Sequence, residues 1–327
     1  MDPALPPGQN PGQPDWGSLI EALVAEHGSL AALAARLCEG GPDELASAER
    51  GLRRLRSRGS LSGGVWGERV LRAFGLPAAI ADRLRFMGSY HSRFEDLPVS
   101  LAADLVQLWD RPPLRESRLG RAWLGLAQAN LALRRGDRAT AARALGPALA
   151  GPDELARVEA SLGLALLQSL EAPGRLPAAL APVEGWLAAL SGPDADCLWA
   201  RYLGQRAWTA TRAGDRAAVE GFVAAMPVSA HPFAASRRAN AAAHLCFLRG
   251  DLAAAEDLAW EAVRTAGDGG HVRLRAMGLL MVARVSPRAE TRQVARARAR
   301  AIGEALEDAV LLRRAQSGGP AIRVGVD

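Results

Sequence analysis

The feature that most constrains this chain is a helix–joint–helix pattern that recurs at a nearly fixed spacing. Its clearest copy is residues 239–264, ANAAAHLCFLRGDLAAAEDLAWEAVR. Arg249 ends the first helix, where a cation suits the helix dipole, and Gly250 follows because glycine readily adopts the left-handed conformation after a helix end. Asp251 then caps the second helix by accepting hydrogen bonds from its first N–H groups. The pattern predicts two packed helices, the first over residues 236–249.

Similar joints recur along the chain. They are centred on Gly136, Gly174, Gly214, Gly250 and Ser286. The first, third and fourth carry aspartate directly after the glycine, and the successive steps are 38, 40, 36 and 36 residues. Periods in this range are typical of stacked helix pairs, because one pair is too small to bury its own apolar face alone.

The pattern resembles the tetratricopeptide repeat (TPR). Small residues lie in the middle of the first helix, Gly-Asp forms the joint and an alanine-rich second helix follows, with the clearest match at residues 236–264 and a fair one at 122–149. The resemblance covers roughly residues 100–315. It implies an all-α fold, in which an α-solenoid of TPR-like helix pairs lines a concave groove with its first helices.

Composition supports an all-helical chain and narrows its chemistry. The hydrophobic share is 49%, but much of it is alanine and only 5% of residues are aromatic, which favours helices. All 40 basic residues are arginine, a bias that a GC-rich bacterial genome would produce. Because the chain has no lysine, it cannot form a Schiff base through lysine, and it lacks the lysine that P-loop proteins and protein kinases use to bind phosphates. The net charge of +5 permits an acidic or nucleic-acid partner without demanding one.

No motif for catalysis, a cofactor or a metal stands out. The histidines are scattered, no HExxH occurs, and Cys38, Cys197 and Cys246 form no CxxC pair, which favours free thiols in a reducing cytoplasm. Residues 1–14, rich in proline and glycine, predict a disordered arm rather than a secretory signal. No apolar stretch is long enough to cross a membrane. We therefore expect a non-enzymatic cytoplasmic protein that binds no cofactor, metal or membrane.

Residues 15–87 predict a small N-terminal helical domain. Asp15, Ser29 and Asp43 stand where the N-caps of its first three helices are expected, and a fourth helix is predicted over residues 65–74. The segments SLAALAARL, ERGLRR and ERVLRAFGLP resemble the helix-turn-helix domains of phage-repressor-like regulators.

That resemblance implies DNA contact through the arginines of the third helix. They are Arg50, Arg53, Arg54, Arg56 and Arg58. Arginine can neutralise backbone phosphates or bind guanine edges. The alternative is that these arginines form a solvated helix face on a domain that only caps the solenoid.

The remaining boundaries follow from turn residues. Residues 88–117 are predicted to connect the two parts, residues 118–316 to carry the repeats, and residues 317–327 to form a flexible tail. Within the connector, GSYHSRFEDLP predicts a loop and Ser100 an N-cap.

Two further predictions concern later helices. Asp153 and Asp194 are predicted N-caps after Gly-Pro turns, and residues 288–316 are predicted to form one long terminal helix.

Aligning the joints in one register places a set of polar and aromatic residues on the groove. The candidate partner-binding residues are Trp123, Asn130, Arg134, Gln168, Arg201, Trp208, Arg212, Arg237, Asn240 and His244, and the last repeat adds Arg273 and Arg284. Asparagine can bind a peptide backbone at two points and arginine can bind carboxylates. The alternative is that Trp123 and Trp208 are core between repeats and the arginines are solvated.

Two functions follow from these patterns. The first is a scaffold or regulatory protein that binds a protein or peptide segment in the groove. The second is a DNA-binding transcriptional regulator with an N-terminal helix-turn-helix and a TPR-like sensor or oligomerisation domain. The sequence leaves the partner and the oligomeric state open.

Overall fold

The computed structural model describes residues 14–39, 44–171 and 176–317, and over these residues it contains helices and no strand. The predicted all-α fold class is therefore confirmed for this part of the chain. Residues 1–13 of the predicted arm, the Asp43 cap, the Gly174 joint and most of the tail lie outside the described residues.

The helices follow one another with short connections. In chain order they are α1 (Trp16–His27), α2 (Leu30–Cys38), α3 (Leu45–Arg56), α4 (Gly64–Phe74), α5 (Ala78–Gly88), a 3-10 turn (Arg93–Asp96), α6 (Val99–Trp109), α7 (Arg118–Arg135), α8 (Arg138–Ala144), α9 (Gly146–Leu149), α10 (Glu154–Glu171), α11 (Leu176–Ala188), α12 (Pro193–Ala213), α13 (Arg216–Ala224), α14 (Pro232–Leu248), α15 (Leu252–Asp268), α16 (Val272–Val285), α17 (Ala289–Ala305) and α18 (Ala309–Gln316).

The three predicted Gly-Asp joints form at Gly136, Gly214 and Gly250. Gly136, Gly214 and Gly250 have φ angles of +83°, +74° and +82°, in the left-handed region. The following aspartates each accept a hydrogen bond from the backbone N–H three residues later, at 2.9–3.0 Å. Each joint therefore ends one helix and starts the next through contacts made within a few residues.

The N-terminal helices begin close to the predicted positions. Asp15 caps α1 by accepting from the Ser18 N–H at 2.8 Å, and Ser29 caps α2 by accepting from the Ala32 N–H at 3.1 Å. α3 begins at Leu45 without a side-chain cap.

Two predicted N-caps are wrong. α6 begins at Val99, so Ser100 lies in its first turn, where its hydroxyl donates to Glu307 at 2.9 Å. α12 begins directly after Gly192, so Asp194 lies in its first turn as well. Its carboxylate binds a distant histidine instead of the helix N–H groups.

The predicted single terminal helix is also wrong, because it is broken into α17 and α18. Glu307 has a φ of +54°, which a helix cannot contain. Asp308 then caps α18 by accepting from the N–H groups of Val310 and Leu311 at 3.0 and 2.9 Å. The break turns the end of the chain back toward α7, with which α18 is in contact.

The apolar core is a series of clusters along the chain. The first contains Trp16 and Leu52 and is formed by residues of α1, α2, α3 and α4. The second contains residues from α5 to α10. The sequence assigns α5 to the N-terminal domain, but Leu84 and Met87 of α5 pack in this second cluster. Further clusters join α10–α12 and α14–α17. No single helix in the described ranges is long and apolar enough to cross a membrane. The sharply bent pair α1–α2 reaches the required length and apolar composition only when its two helices are counted together.

Five helices each pack against the helix that follows: α7 with α8, α10 with α11, α12 with α13, α14 with α15 and α16 with α17. The first helices of these pairs also contact one another. α7 contacts α10, α10 contacts α12, α12 contacts α14 and α14 contacts α16. The first helices of successive pairs therefore form one continuous layer. The two ends of this layer are joined by α18, which contacts α7 and α16, and by a hydrogen bond from the Val99 N–H to the Leu306 carbonyl at 3.1 Å.

Candidate ligand-binding site on the inner face

A polar segment of the chain, residues 88–97, lies against the first helices of the pairs. We call it the connector segment. It contacts α7, α10, α12, α14 and α16 through hydrogen bonds, ion pairs and ring contacts. We call the side of these five helices that faces the connector segment the inner face.

Both ends of the connector segment are held by α7. Asn130 Nδ2 donates to the Gly88 carbonyl at 3.2 Å. Arg134 Nη2 donates to the Leu97 carbonyl at 2.7 Å and to the Leu306 carbonyl at 2.8 Å. A side chain at Gly88 would bring a Cβ within 2.6 Å of the Trp123 carbonyl oxygen, so glycine permits this close approach.

His91 anchors the middle of the connector segment between two carboxylates. Its Nδ1 lies 3.1 Å from Glu159 Oε1 and its Nε2 lies 2.9 Å from Asp194 Oδ1. Burial alone would lower the pKa of His91, but the contacts with Asp194 and Glu159 outweigh it and raise the pKa from 6.5 to about 9. Glu159 also pairs with Arg201. His91 is therefore a buried cation at neutral pH, balanced by these carboxylates.

Asp308 is the carboxylate that balances two arginines near the end of the connector segment. Arg273 Nε donates to Asp308 Oδ2 at 2.8 Å, and Arg134 Nε lies 3.5 Å from the same oxygen. Burial would raise the pKa of Asp308, but Arg273 outweighs it and holds the pKa below its ordinary value. The backbone N–H of Arg273 also donates to Asp96 Oδ1 at 2.7 Å. Arg134 and Arg273 are thus both paired with Asp308, an acid of the same chain.

Beyond the connector segment the inner face opens into a cavity of about 160 Å³. It lies between α12, α13, α14 and α16 and is open on one side. Its polar lining includes Arg237, Asn240, His244 and Arg284, and Trp208 lies beside them. Neither aspartate nor glutamate occurs among the described residues that line it.

Three buried polar atoms of the residues that line this cavity lack a hydrogen-bond partner. Asn240 Oδ1, His244 Nδ1 and Arg284 Nη2 are buried and make no hydrogen bond to the described residues. An unsatisfied buried polar group costs about 1–3 kcal/mol. Three of the lining residues therefore have hydrogen-bonding capacity that the described residues do not use.

The electrostatics of the cavity favour an anion. Burial, and then the charge of Arg284, lower the pKa of His244 to about 4, so His244 is neutral at pH 7. Burial lowers the pKa of Arg237 to about 10, and the positive charges of Arg201 and Arg273 act in the same direction. Burial likewise lowers the pKa of Arg284.

The two cavity arginines contact aromatic rings rather than carboxylates. The Cζ of Arg237 lies 5.5 Å from the ring centroid of Phe233, and that of Arg284 lies 5.4 Å from the ring of Phe247. These rings hold the guanidinium groups at the cavity without cancelling their charge.

The ten predicted groove residues divide into three groups. The cavity is lined by Trp208, Arg237, Asn240 and His244. The interior around the connector segment contains Trp123, Asn130, Arg134 and Arg201, all buried. Gln168 is half-buried on α10, and Arg212 is exposed with its Cζ 5.0 Å from the ring of Trp208.

Sequence reasoning predicted a connecting loop but missed its acidic partners and its position against the five helices. Glu159, Asp194 and Asp308 are paired with residues far away in the sequence, so no local pattern marks them. The one available signal is the density of polar and aromatic residues in GSYHSRFEDLP.

The arginines proposed for DNA contact are all exposed. They are Arg50, Arg53, Arg54, Arg56 and Arg58. Arg53 pairs with Glu49 at 2.6 Å and Arg56 with Glu21 at 2.9 Å, both carboxylates of the N-terminal helices. The other described helices therefore do not cover this arginine face.

No cluster of three or more potential metal ligands occurs in the part of the chain that the structure describes. Cys38, Cys197 and Cys246 are free thiols. No protein-family model matches the chain, and no match to it appears among curated proteins or solved structures.

Proposed function

We propose that this chain is a non-enzymatic scaffold or regulatory protein, in which a solenoid of TPR-like helix pairs binds a segment of a protein partner on its inner face. The layered contacts among α7, α10, α12, α14 and α16 support the solenoid, because stacked repeats bring their first helices together in this way.

The observation that carries the proposal is the way the inner face holds the connector segment. Asn130 and Arg134 bind backbone carbonyls of that segment, and arginines surround its tyrosine ring. These are the contacts by which a protein surface binds an extended peptide. The adjoining cavity has the same residue types, Arg, Asn and Trp, but holds no segment of the described chain.

A partner-capture experiment with two charge-reversed variants tests this. The full chain, Arg237→Glu and Arg238→Glu are each used to capture proteins from a lysate of the source organism. Arg237 lines the cavity, whereas its neighbour Arg238 is exposed and does not. We expect a protein that the wild type and Arg238→Glu retain and Arg237→Glu loses, and a peptide array of that protein should identify one short binding segment.

One outcome of this experiment would overturn the proposal. If Arg237→Glu keeps its helical content by circular dichroism and still captures every protein that the wild type captures, the inner-face proposal is wrong. Arg201 is unsuitable for this test because it is buried in an ion pair with Glu159, and reversing its charge would destabilise the fold.

A second candidate function, DNA binding by the N-terminal helices, is favoured by the uncovered arginine face of α3. Each phosphate contact should add about −0.9 to the log–log salt slope of binding to duplex DNA. Replacing Arg53, Arg54 and Arg56 with glutamine should reduce that slope. The matched control replaces the exposed repeat arginines Arg138, Arg143 and Arg216, which leaves the same net charge. Absence of binding by the wild type at low salt would remove this candidate.

A further inference from the structure

We infer that the N-terminal helices bind the surface of an anionic lipid bilayer. In this arrangement Leu61 and Val65 insert below the headgroups, while Arg50, Arg54 and Arg58 contact the lipid phosphates. These residues lie outside the inner face, so the inference is independent of the function proposed there. The sequence predicted no membrane contact because no segment is long enough to span a bilayer, but binding at the surface requires no spanning segment.

The first argument is the exposure of two aliphatic side chains at the turn between α3 and α4. Leu61 and Val65 are 70% and 72% exposed, and among the described residues only Val228 is a more exposed large apolar side chain. Val65 lies in the first turn of α4, four residues after Leu61. Water solvates such side chains poorly, so an apolar environment that covers both of them is favourable.

The second argument is that the backbone of this turn is held in place. Trp16 donates from its backbone N–H to the Gly59 carbonyl and from its indole N–H to the Leu61 carbonyl, both at 3.0 Å. The Gly63 N–H donates to the Glu116 carboxylate at 3.2 Å. A Cβ at Gly63 would collide with the buried Trp16 ring, so the turn packs closely on that ring. A surface that is already ordered loses little conformational entropy on binding.

The third argument is the positive charge beside this turn. Arg50 and Arg54 lie one turn apart on the same face of α3, and Arg58 follows just past its end. The side chains of Arg50 and Arg54 make no ion pair or hydrogen bond within the part of the chain that the structure describes. Arg58 Nη1 donates to the Gly63 carbonyl at 3.4 Å. This contact places the guanidinium group at the start of α4, where Val65 is exposed.

The neighbouring carboxylates are already paired with other arginines. Glu49 lies 2.6 Å from Arg53, and Glu21 lies 2.9 Å from Arg56. A third acid, Glu68 on α4, is paired on its own helix. Three of the five arginines of this region therefore keep their charge for a partner. Each such cation strengthens binding to an anionic lipid surface about fivefold.

A bilayer surface satisfies both sets of groups, whereas duplex DNA satisfies mainly one. Phosphates of anionic lipids bind guanidinium groups, and the acyl region directly below accepts aliphatic side chains. Duplex DNA offers phosphates, but apolar side chains contact it only at thymine methyl groups and at unstacked base steps. Free arginines beside displayed aliphatic side chains therefore favour a lipid surface.

Sedimentation of the full chain with lipid vesicles tests the inference. The vesicles are phosphatidylcholine alone and phosphatidylcholine mixed with phosphatidylglycerol. We expect the wild type to bind the mixed vesicles about 100-fold more tightly, because three arginines each contribute about fivefold. Added salt should weaken this binding only in part, because salt screens the charges but not the apolar contribution.

The apolar contribution is measured with a double variant. Leu61→Ser with Val65→Ser should weaken binding to the mixed vesicles at least about tenfold. Val228→Ser is the control, because it removes a more exposed apolar side chain from another loop, and it should leave binding unchanged. Thermal melting checks that each variant is folded.

The charge contribution is measured with a second pair of double variants. Arg50→Gln with Arg54→Gln should weaken binding to the mixed vesicles about 25-fold. Arg138→Gln with Arg216→Gln has the same net charge and replaces exposed arginines of the repeats, so it should change binding much less. Equal losses in the two pairs would mean that only net charge matters, and would overturn the site.

Two further outcomes would overturn the inference. The first is that the wild type does not sediment with the mixed vesicles, or sediments equally well after Leu61→Ser with Val65→Ser. The second is that the wild type and this variant bind duplex DNA alike and neither binds vesicles. In that case the arginines belong to the DNA-binding candidate and the membrane inference is wrong.

Discussion

The guanidinium group of Arg201 lies over the ring of Tyr90, with 4.4 Å from Cζ to the ring centroid. Arg273, which lies on α16, donates from Nη1 to the Tyr90 hydroxyl at 2.8 Å. α12 and α16 therefore contact one connector side chain, although they are two helix pairs apart. Through this contact the half-buried Tyr90 joins α12 and α16, so the connector segment packs against the helices instead of only linking two parts of the chain.

Tyr90→Phe removes only the hydroxyl from this arrangement. We expect the free energy of unfolding to fall by about 1.5–3 kcal/mol, the usual contribution of a hydrogen bond to a charged group, because Arg273 loses an acceptor. Urea denaturation followed by circular dichroism measures it. Unchanged stability would mean that water or another acceptor replaces the hydroxyl.

His91 should make stability depend on pH in the alkaline range. Its pKa is raised to about 9 in the folded chain, above the ordinary value, so the folded state holds this proton more tightly than the unfolded state does. The stabilisation is complete below pH 6.5 and is lost as the pH rises through 9. The loss should be on the order of 3 kcal/mol.

The matched variant for this prediction is His91→Gln, which cannot titrate. It should be less stable than the wild type at pH 6.5, and its unfolding free energy should change much less between pH 6.5 and pH 9.5. Parallel pH profiles for the two proteins, measured by urea denaturation, would assign the alkaline dependence to other groups.

Asp308→Asn should destabilise the closure of the helix array. The carboxylate is fully buried and balances Arg273 and Arg134. Its removal takes away the counter-ion that the two arginines share and leaves Arg273 with only the longer pair to Glu95, at 3.9 Å. Such losses typically cost about 3–5 kcal/mol. Glu304→Gln is the control, because its pair with Arg300 is exposed and should change stability by about 0.5 kcal/mol or less. Equal melting temperatures of the two variants would contradict the role given to Asp308.

Two glycine substitutions should have opposite signs. Gly250 has a left-handed backbone conformation, so Gly250→Ala should destabilise by about 1 kcal/mol. Gly221 lies inside α13 and a Cβ there would meet no atom within 4 Å. Gly221→Ala should therefore stabilise by up to about 1 kcal/mol. Thermal unfolding measures both, and destabilisation by Gly221→Ala would show that α13 is not a regular helix there.

The sequence by itself determined the helical content and the joints between helices. Gly136, Gly214 and Gly250 adopt the expected backbone conformation, and the next aspartate caps the following helix. These features could be predicted because every contact that forms them lies within about five residues. The spacing of the joints also assigned Trp208, Arg237, Asn240 and His244 to one surface, and these four residues line the cavity. Residues at the same height of equivalent helices share one face; that they bind a partner stays a prediction.

Only the tertiary structure decided which arginines are available to a ligand. His91 meets Asp194 across 103 positions, and Arg134 reaches the Leu306 carbonyl across 172 positions. Arg201 meets Glu159 across 42 positions. Whether an arginine is neutralised depends on which carboxylate the folded chain brings within a few ångströms of it, and the spacing of residues along one helix contains no information about that. The same reason hid the position of the connector segment, because its binding surface exists only after five separate helices have packed.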